Sequence, residues 1–258
     1  MPQLLLRGTP IGKIQGVLFD KDGTLCHSEP HLLTLAKGRI EQAIRRFHGG
    51  NASESVVCKI EELLSAAYGL NAEGLDPGGT IAVASRHHNL ISTATVFCLL
   101  GEGWPQALAL ANEVFAAVDA LENEVPCLVT TRTLLPGALT VLQALRQQGV
   151  ICAVISNDSA SGIETFLNQN NLHDTVTELW SAEHRPAKPN PNAVKRLCQL
   201  MGLAPAQCAL IGDADSDLQM ARQAGIGLSL GYMAGWNQPP KLTNYHHLIH
   251  HWNDLAVK

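Results

Sequence analysis

Gly16-Val17-Leu18-Phe19-Asp20-Lys21-Asp22-Gly23-Thr24 is an uncharged run that stops abruptly at two carboxylates spaced two residues apart. A short continuous apolar run bounded by turn residues is the pattern of a strand buried on both faces. The pattern recurs twice. Ile151-Cys152-Ala153-Val154-Ile155 ends in Ser156-Asn157-Asp158, and Cys208-Ala209-Leu210-Ile211 ends in Gly212-Asp213. Weaker runs at 175–180 and 226–230 predict two more strands. Helical periodicity separates them. One helix opens at Pro136, carries Leu139, Leu142 and Leu145 on one face, and stops at Gly149. Others are predicted over about 191–201 and 215–224, the last stopped by Gly225. Strands alternating with helices predict an α/β fold with a parallel sheet and crossover helices. Ligands of such sheets bind beyond the carboxyl ends of the strands. The polar residues that end the three main strands are therefore expected to meet in one crevice.

The stretch from Ser28 to Thr131 has no clear strand. Leu33, Ala36, Ile40, Ile44 and Phe47 share one helical face, closed by Gly49-Gly50. Val56, Ile60, Leu63, Leu64 and Ala67 form a second face, and further helices are predicted over roughly 89–100 and 105–121. A Gly/Pro-bearing loop at 69–79 divides the set. This predicts a helical bundle inserted after the first strand of the sheet domain.

Bulk properties narrow the functional classes. The chain has 258 residues, 46% of them hydrophobic, with a net charge of −5. The acidic balance argues against nucleic acid or an anionic membrane surface as the main partner. No apolar run is long enough to span a membrane. The opening MPQLLLRGTPIGK lacks the basic region, long apolar region and small-residue cleavage site of a secretory signal. The cysteines, at 26, 58, 98, 127, 152, 198 and 208, are odd in number and form no CxxC pair. They are expected to be free thiols of a reducing compartment, the cytoplasm.

Four pieces carry chemistry. On a strand, Asp20 and Asp22 would project to the same side. Two carboxylates held together call for a cation, and Mg²⁺, which prefers oxygen ligands and keeps exchangeable waters, is the natural candidate. Gly23 lets the backbone turn sharply. Ser156 and Asn157 offer a hydroxyl and backbone N–H groups to a phosphoryl oxygen. Lys188, flanked by Pro186 and Pro189, is a stiffly placed point charge for phosphate. Asp213 leaves its strand as a metal ligand, and Asp217, one helical turn on, supports the site. Asp215 or Ser216 is expected to cap the helix that follows.

Together these pieces resemble the haloacid dehalogenase superfamily of phosphatases and phosphomutases. The DxDGT motif falls on Asp20 to Thr24, the strand-end Ser or Thr on Ser156, the Lys on Lys188, and GDxxxD on Gly212 to Asp217. The resemblance covers roughly residues 14–27 and 132–235. It implies a Rossmann-like core built from residues 1–27 and 132–258, with an inserted helical C1 cap at 28–131. It also implies that Asp20 is the nucleophile and a Mg²⁺ ligand. Asp22 is then the general acid–base and lends its backbone carbonyl to the metal. Ser156, Asn157 and Lys188 bind the phosphoryl group, and Asp213 is a further metal ligand with Asp217 behind it. The implied substrate is a small phosphorylated metabolite, with phosphoglycolate the fold-level guess. Lys21 stands where an apolar residue is common, and is expected to point away from the crevice. Asn190 and Ala214 are further departures.

Arg86 and His87, at the start of a predicted cap helix, are candidate specificity residues. His246, His247, His250 and His251 would suit a metal if they lay on a helix, but no carboxylate motif accompanies them, and residues 245–249 read alternatively as an edge strand near the sheet. A phosphomutase would share the nucleophile and acid–base pair. A dehalogenase would lack Asp22. A phosphonate hydrolase would need a cap lysine, and only Lys37 and Lys59 are available. A non-catalytic regulatory protein would not need complete motifs. Oligomeric state is not encoded in these features.

Overall fold

The computed structural model describes residues 1–124 and 132–258. Cys127 and the expected domain boundary at Thr131 lie outside the described residues. The chain divides into two compact units, Met1–Ser28 with Arg132–Lys258, and Glu29–Thr131.

In chain order the strands are β1 (Gln3–Leu6), β2 (Thr9–Lys13), β3 (Gly16–Phe19), β4 (Leu70–Asn71), β5 (Gly74–Leu75), β6 (Ile151–Ile155), β7 (Val176–Trp180), β8 (Cys208–Gly212), β9 (Leu228–Tyr232), β10 (His247–Ile249) and β11 (Leu255–Val257). The helices are α1 (Glu29–Arg46), α2 (Glu54–Tyr68), α3 (Thr80–Val83), α4 (Arg86–Leu99), α5 (Trp104–Glu124), α6 (Ala138–Gln147), α7 (Ala160–Gln169), α8 (Pro191–Leu200) and α9 (Asp215–Ala224).

The first unit is built on a parallel sheet of order β10-β9-β8-β3-β6-β7. The pleat explains why its strands are apolar throughout, since successive side chains face opposite layers and both layers are covered. Val17 and Phe19 join one buried cluster with Val154, Ile211, Leu142 of α6 and Phe166 of α7. Leu18, between them, joins the other, with Ala153, Leu210, Leu197 of α8 and Leu218 of α9. Burying a side chain such as Phe19 contributes about 2–3 kcal/mol.

Two parts of this unit go beyond the sequence expectation. Helix α7 follows β6, with Ser159 at its N-cap accepting from Gly162 N. A second, antiparallel sheet of order β11-β1-β2 joins the chain ends, pairing Leu4 with both Val257 and Gly12. Trp252, just before β11, stacks on Tyr232 at 4.8 Å and donates its indole N–H to the Thr24 carbonyl at 3.1 Å.

The second unit is mainly helical, as its periodicity predicts. The loop predicted at 69–79 contains the two-stranded β4–β5 hairpin, and α3 follows it. Within this unit Phe47 and Phe97 stack at 5.8 Å, and the Arg39 guanidinium lies 3.9 Å from the Phe115 ring centre. No described helix of either unit is long and apolar enough to cross a membrane.

Candidate active site

Register brings the site together. Phe19 of β3 lies opposite Val154 of β6 and Ile211 of β8. The chain therefore leaves three adjacent strands at one level, as Asp20, Ser156 and Asp213. Asp20 N donates to the Ile211 carbonyl at 2.9 Å, which extends the ladder by one residue before the chain turns.

The Lys188 ammonium enters from the loop before α8. It donates to Asp20 Oδ1 at 2.6 Å, to the Ile155 carbonyl at 3.3 Å, and pairs with Asp217 Oδ1 at 2.8 Å. Asp20, Asp213 and Asp217 are buried, each with a carboxylate oxygen within 4.8 Å of the others. Among the described residues this is the only group of three or more His, Cys, Asp or Glu side chains close enough to share an ion.

The electrostatics follow from the crowding. Burial, with Asp20 and Asp217 nearby, pushes the Asp213 carboxyl well above the usual range, against donation from Trp236 and Thr24. Burial also raises Asp217, to about 6; Asp20 adds to the rise, and Lys188 opposes it. Burial alone would lower Lys188, but Asp20 and Asp217 outweigh it and hold the ammonium above an ordinary lysine. When all are ionised, three carboxylates and one ammonium leave two uncompensated negative charges. A divalent oxygen-seeking cation would neutralise them.

Asp22 belongs to a different cluster. Its Oδ1 accepts from Lys21 Nζ at 2.6 Å and from Ser28 Oγ at 2.5 Å. Lys21 Nζ also pairs with Asp158 Oδ2 at 3.2 Å, and Arg132 pairs with the same oxygen at 3.0 Å. Two carboxylates and two cations balance here. Burial would raise the Asp22 carboxyl, but Lys21 and Arg132 pull it down to about 2. The expectation for Lys21 is corrected by this arrangement. Its side chain is buried, and its ammonium is tied to Asp22 and Asp158 because burying a charge requires a partner. Lys21→Met should cost about 2 kcal/mol, discounted because Asp22 and Asp158 are part-exposed. Urea unfolding measures this, and a change under about 0.5 kcal/mol would show the pairing contributes little.

The remaining expectations fall as follows. Ser156 is buried at the end of β6, its Oγ accepting from Asp158 N at 3.1 Å, with Asn157 beside it. Arg86 and His87 lie in the second unit. There Arg86 pairs with Asp119 and lies 5.1 Å from the Phe115 ring centre, while the His87 and His88 rings are 5.9 Å apart. Neither Asp215 nor Ser216 caps α9. Ala214 holds the N-cap position, and the Asp215 carboxylate instead accepts from the backbone N–H of Thr243 and Asn244. The histidine-rich stretch is not helical. His247 opens strand β10, and His246 Nδ1 accepts from Ser229 N at 2.9 Å.

Sequence reasoning missed Ser28, Arg132, Asp158 and the role of Trp236. Asp158 was legible, since it follows directly on Ser156-Asn157. Arg132 and Trp236 reach the site only through tertiary folding.

A parallel sheet that gathers carboxylates and a buried ammonium at its strand ends has the layout of an α/β ligand-binding site. The sequence model of the haloacid dehalogenase-like hydrolase family matches residues 14–225, and the chain belongs to that family. It is 29% identical over 225 residues to a phosphoglycolate phosphatase of Pseudomonas putida, covering 85% of this chain and 71% of that one. A phosphoglycolate phosphatase of Pasteurella multocida is 32% identical over 103 residues, 38% of this chain and 46% of the relative, so that match spans just under half of the relative's length. The fold matches a crystal structure of a predicted phosphoglycolate phosphatase from Haemophilus somnus, with a TM-score of 0.65 at 22% identity, covering 95% and 97% of the two chains. As a member of that family the chain is a hydrolase-type enzyme.

Proposed function

We propose that this enzyme is a magnesium-dependent phosphomonoester hydrolase. It acts on a small phosphorylated metabolite through an aspartyl-phosphate, an acyl phosphate formed on Asp20. The observation that carries the proposal is the buried grouping of Asp20, Asp213 and Asp217 around a single lysine. The donor set is all oxygen with a deficit of two positive charges, which fits Mg²⁺. Asp20, Asp213 and the Asp22 backbone carbonyl would hold the ion, supported by Asp217. When bound, Mg²⁺ supplies charge neutralisation between the nucleophilic carboxylate and the phosphate.

The chain's own residues do the rest. An Asp20 carboxylate oxygen attacks phosphorus, and the bond to the leaving oxygen breaks. Lys188, Ser156 and Asn157 hold the phosphoryl oxygens as charge spreads over them. Asp22 gives its proton to the leaving oxygen, then takes one from the water that hydrolyses the acyl phosphate on Asp20. Held at about 2 by Lys21 and Arg132, Asp22 is ionised at neutral pH, the form the second step needs. The first step needs its carboxyl protonated, away from Lys21. The helical unit is read as the inserted cap domain, where Arg86 and His87 remain candidates for contact with the leaving group. The described cysteines are free thiols, in keeping with a cytoplasmic enzyme.

Phosphoglycolate is the first substrate to test, because relatives at 29% and 32% identity carry that name. A panel of small phosphate esters should release inorganic phosphate with Mg²⁺ and none with a chelator. Equal release in both would remove the metal from the mechanism, and no release from any ester would favour a non-catalytic role.

The carboxyl shifts add a pH test. Asp217 is raised from 3.8 to about 6, so the folded chain holds this proton more tightly than the unfolded chain. Its stabilising contribution is full below pH 3.8 and is lost as pH rises through about 6. Asp22 acts in a separate window, its contribution present above 3.8 and lost as pH falls through about 2. In chelator, the melting temperature should fall by about 5–10 °C between pH 4 and 6.5. Mg²⁺ should flatten that fall. Parallel melting curves with and without Mg²⁺ would contradict the assignment.

A further inference from the structure

Trp236 follows β9, in a loop outside every motif that placed the catalytic residues. Its indole N–H donates to Asp213 Oδ2 at 2.5 Å, and the side chain is buried. The other oxygen of the same carboxylate, Oδ1, accepts from Thr24 Oγ1 at 2.8 Å. Asp213 is thus gripped by one neutral donor on each oxygen. Each oxygen keeps a second lone-pair direction for a cation.

The packing around the indole is specific to this arrangement. Gly23 has φ +76°, and a Cβ there would lie 2.3 Å from the Trp236 ring. A Cβ on Gly235 would fall 1.6 Å from the Gly23 carbonyl oxygen. Residues 235–236 therefore lie directly on the turn that follows Asp20 and Asp22. The sheet order β9-β8-β3 makes this reach natural, because the three loops leave neighbouring strands. One side chain from the β9 loop bridges the carboxylate that ends β8 and the turn that ends β3.

We infer that Trp236 is a positioning residue for the metal centre, its indole N–H fixing the Asp213 carboxylate in the orientation that receives the cation. The inference rests on the Mg²⁺ reading above. A carboxylate held by two donors from rigid neighbours loses little rotational freedom when a cation binds, so the ordering cost is met by the fold. Removing one donor lets the group rotate. Such supporting hydrogen bonds typically change metal affinity by about 10–100-fold.

Trp236→Phe keeps an aromatic ring on Gly23 and deletes the N–H. Calorimetric titration with Mg²⁺ should give an affinity about 10–100-fold weaker than wild type. At saturating Mg²⁺ the KM for a phosphate ester should stay within about 3-fold, because the phosphate contacts are untouched. Wild-type binding with an unchanged affinity in Trp236→Phe would overturn the inference. If the wild-type chain itself bound no Mg²⁺, the metal reading above would fall with it.

A second measurement needs no variant of Trp236. The chain has four tryptophans, and single Phe variants of the other three assign the Trp236 indole N–H signal by elimination. That signal should shift during a Mg²⁺ titration of the wild-type chain, with the dissociation constant found by calorimetry. A signal that stays fixed through saturation would show the indole to be uncoupled from the ion.

Discussion

Asp20→Asn is expected to lower phosphate release by about 10⁴-fold or more, equivalent to at least ~5.5 kcal/mol of barrier, with the fold intact. An amide is too weak a nucleophile to displace the leaving oxygen, so the acyl phosphate on residue 20 cannot form. The stability side has the opposite sign. Asp20 sits within 4.8 Å of Asp213 and Asp217, and Lys188 keeps its 2.8 Å partner Asp217 after the change. Removing one of three crowded carboxylates relieves repulsion. In chelator the variant should melt at the wild-type temperature or above it, whereas Mg²⁺ should stabilise it less than wild type. Acid quenching of wild type during turnover of a phosphate-labelled ester should leave label on the chain, and the variant should carry none. Turnover near the wild-type rate would show that the nucleophile lies elsewhere.

How far the sequence reached is best judged from particular residues. Asp20, Ser156 and Asp213 were legible because each ends a strand whose burial is written in a continuous apolar run. The register Phe19 to Val154 and Ile211 then places them together. Lys188 was legible as a charge between prolines, but its direct hold on Asp20 and Asp217 is a tertiary fact. Lys21 misled because strand alternation sends its stem out of the crevice. A long flexible side chain can bring its charge back to a carboxylate while its methylenes stay buried, here with the ammonium 5.8 Å from the Phe166 ring centre. The β11-β1-β2 sheet was invisible because it pairs Leu4 with Val257 across the whole chain, and Thr9–Lys13 is short, interrupted by Pro10 and Gly12, and mostly exposed. Trp236 gave only a loop signal, since nothing local tells an anchoring indole from one that donates to a carboxylate. In the histidine-rich stretch the edge-strand reading of residues 245–249 holds. Its spacing suits a metal only on a helix, and pairing of His247 with Leu230 makes the segment a strand.

Lys188→Met should fail in two ways at once, and the two are separable. The lysine is buried between Asp20 at 2.6 Å and Asp217 at 2.8 Å. A methionine of similar length fills the slot without charge, leaving three carboxylates in a low-dielectric space. Breaking a buried pair on one side costs about 3–5 kcal/mol. The cost should fall toward the low end, because Asp213 and Asp217, already raised, take up protons. Urea unfolding in chelator should show this loss, and Mg²⁺ should restore more stability to the variant than to wild type, since the cation then neutralises a larger deficit. Turnover behaves differently. Loss of one charged group aimed at the developing phosphoryl charge costs about 10²–10³-fold, and Mg²⁺ at saturation should not restore it. Lys188→Arg should recover part of the stability and little of the rate, because the planar guanidinium matches neither the slot nor the point-charge geometry. A Lys188→Met enzyme that regained full turnover with added Mg²⁺ would assign the lysine to charge balance alone. A variant as stable as wild type in chelator would show that the carboxylate cluster does not depend on it.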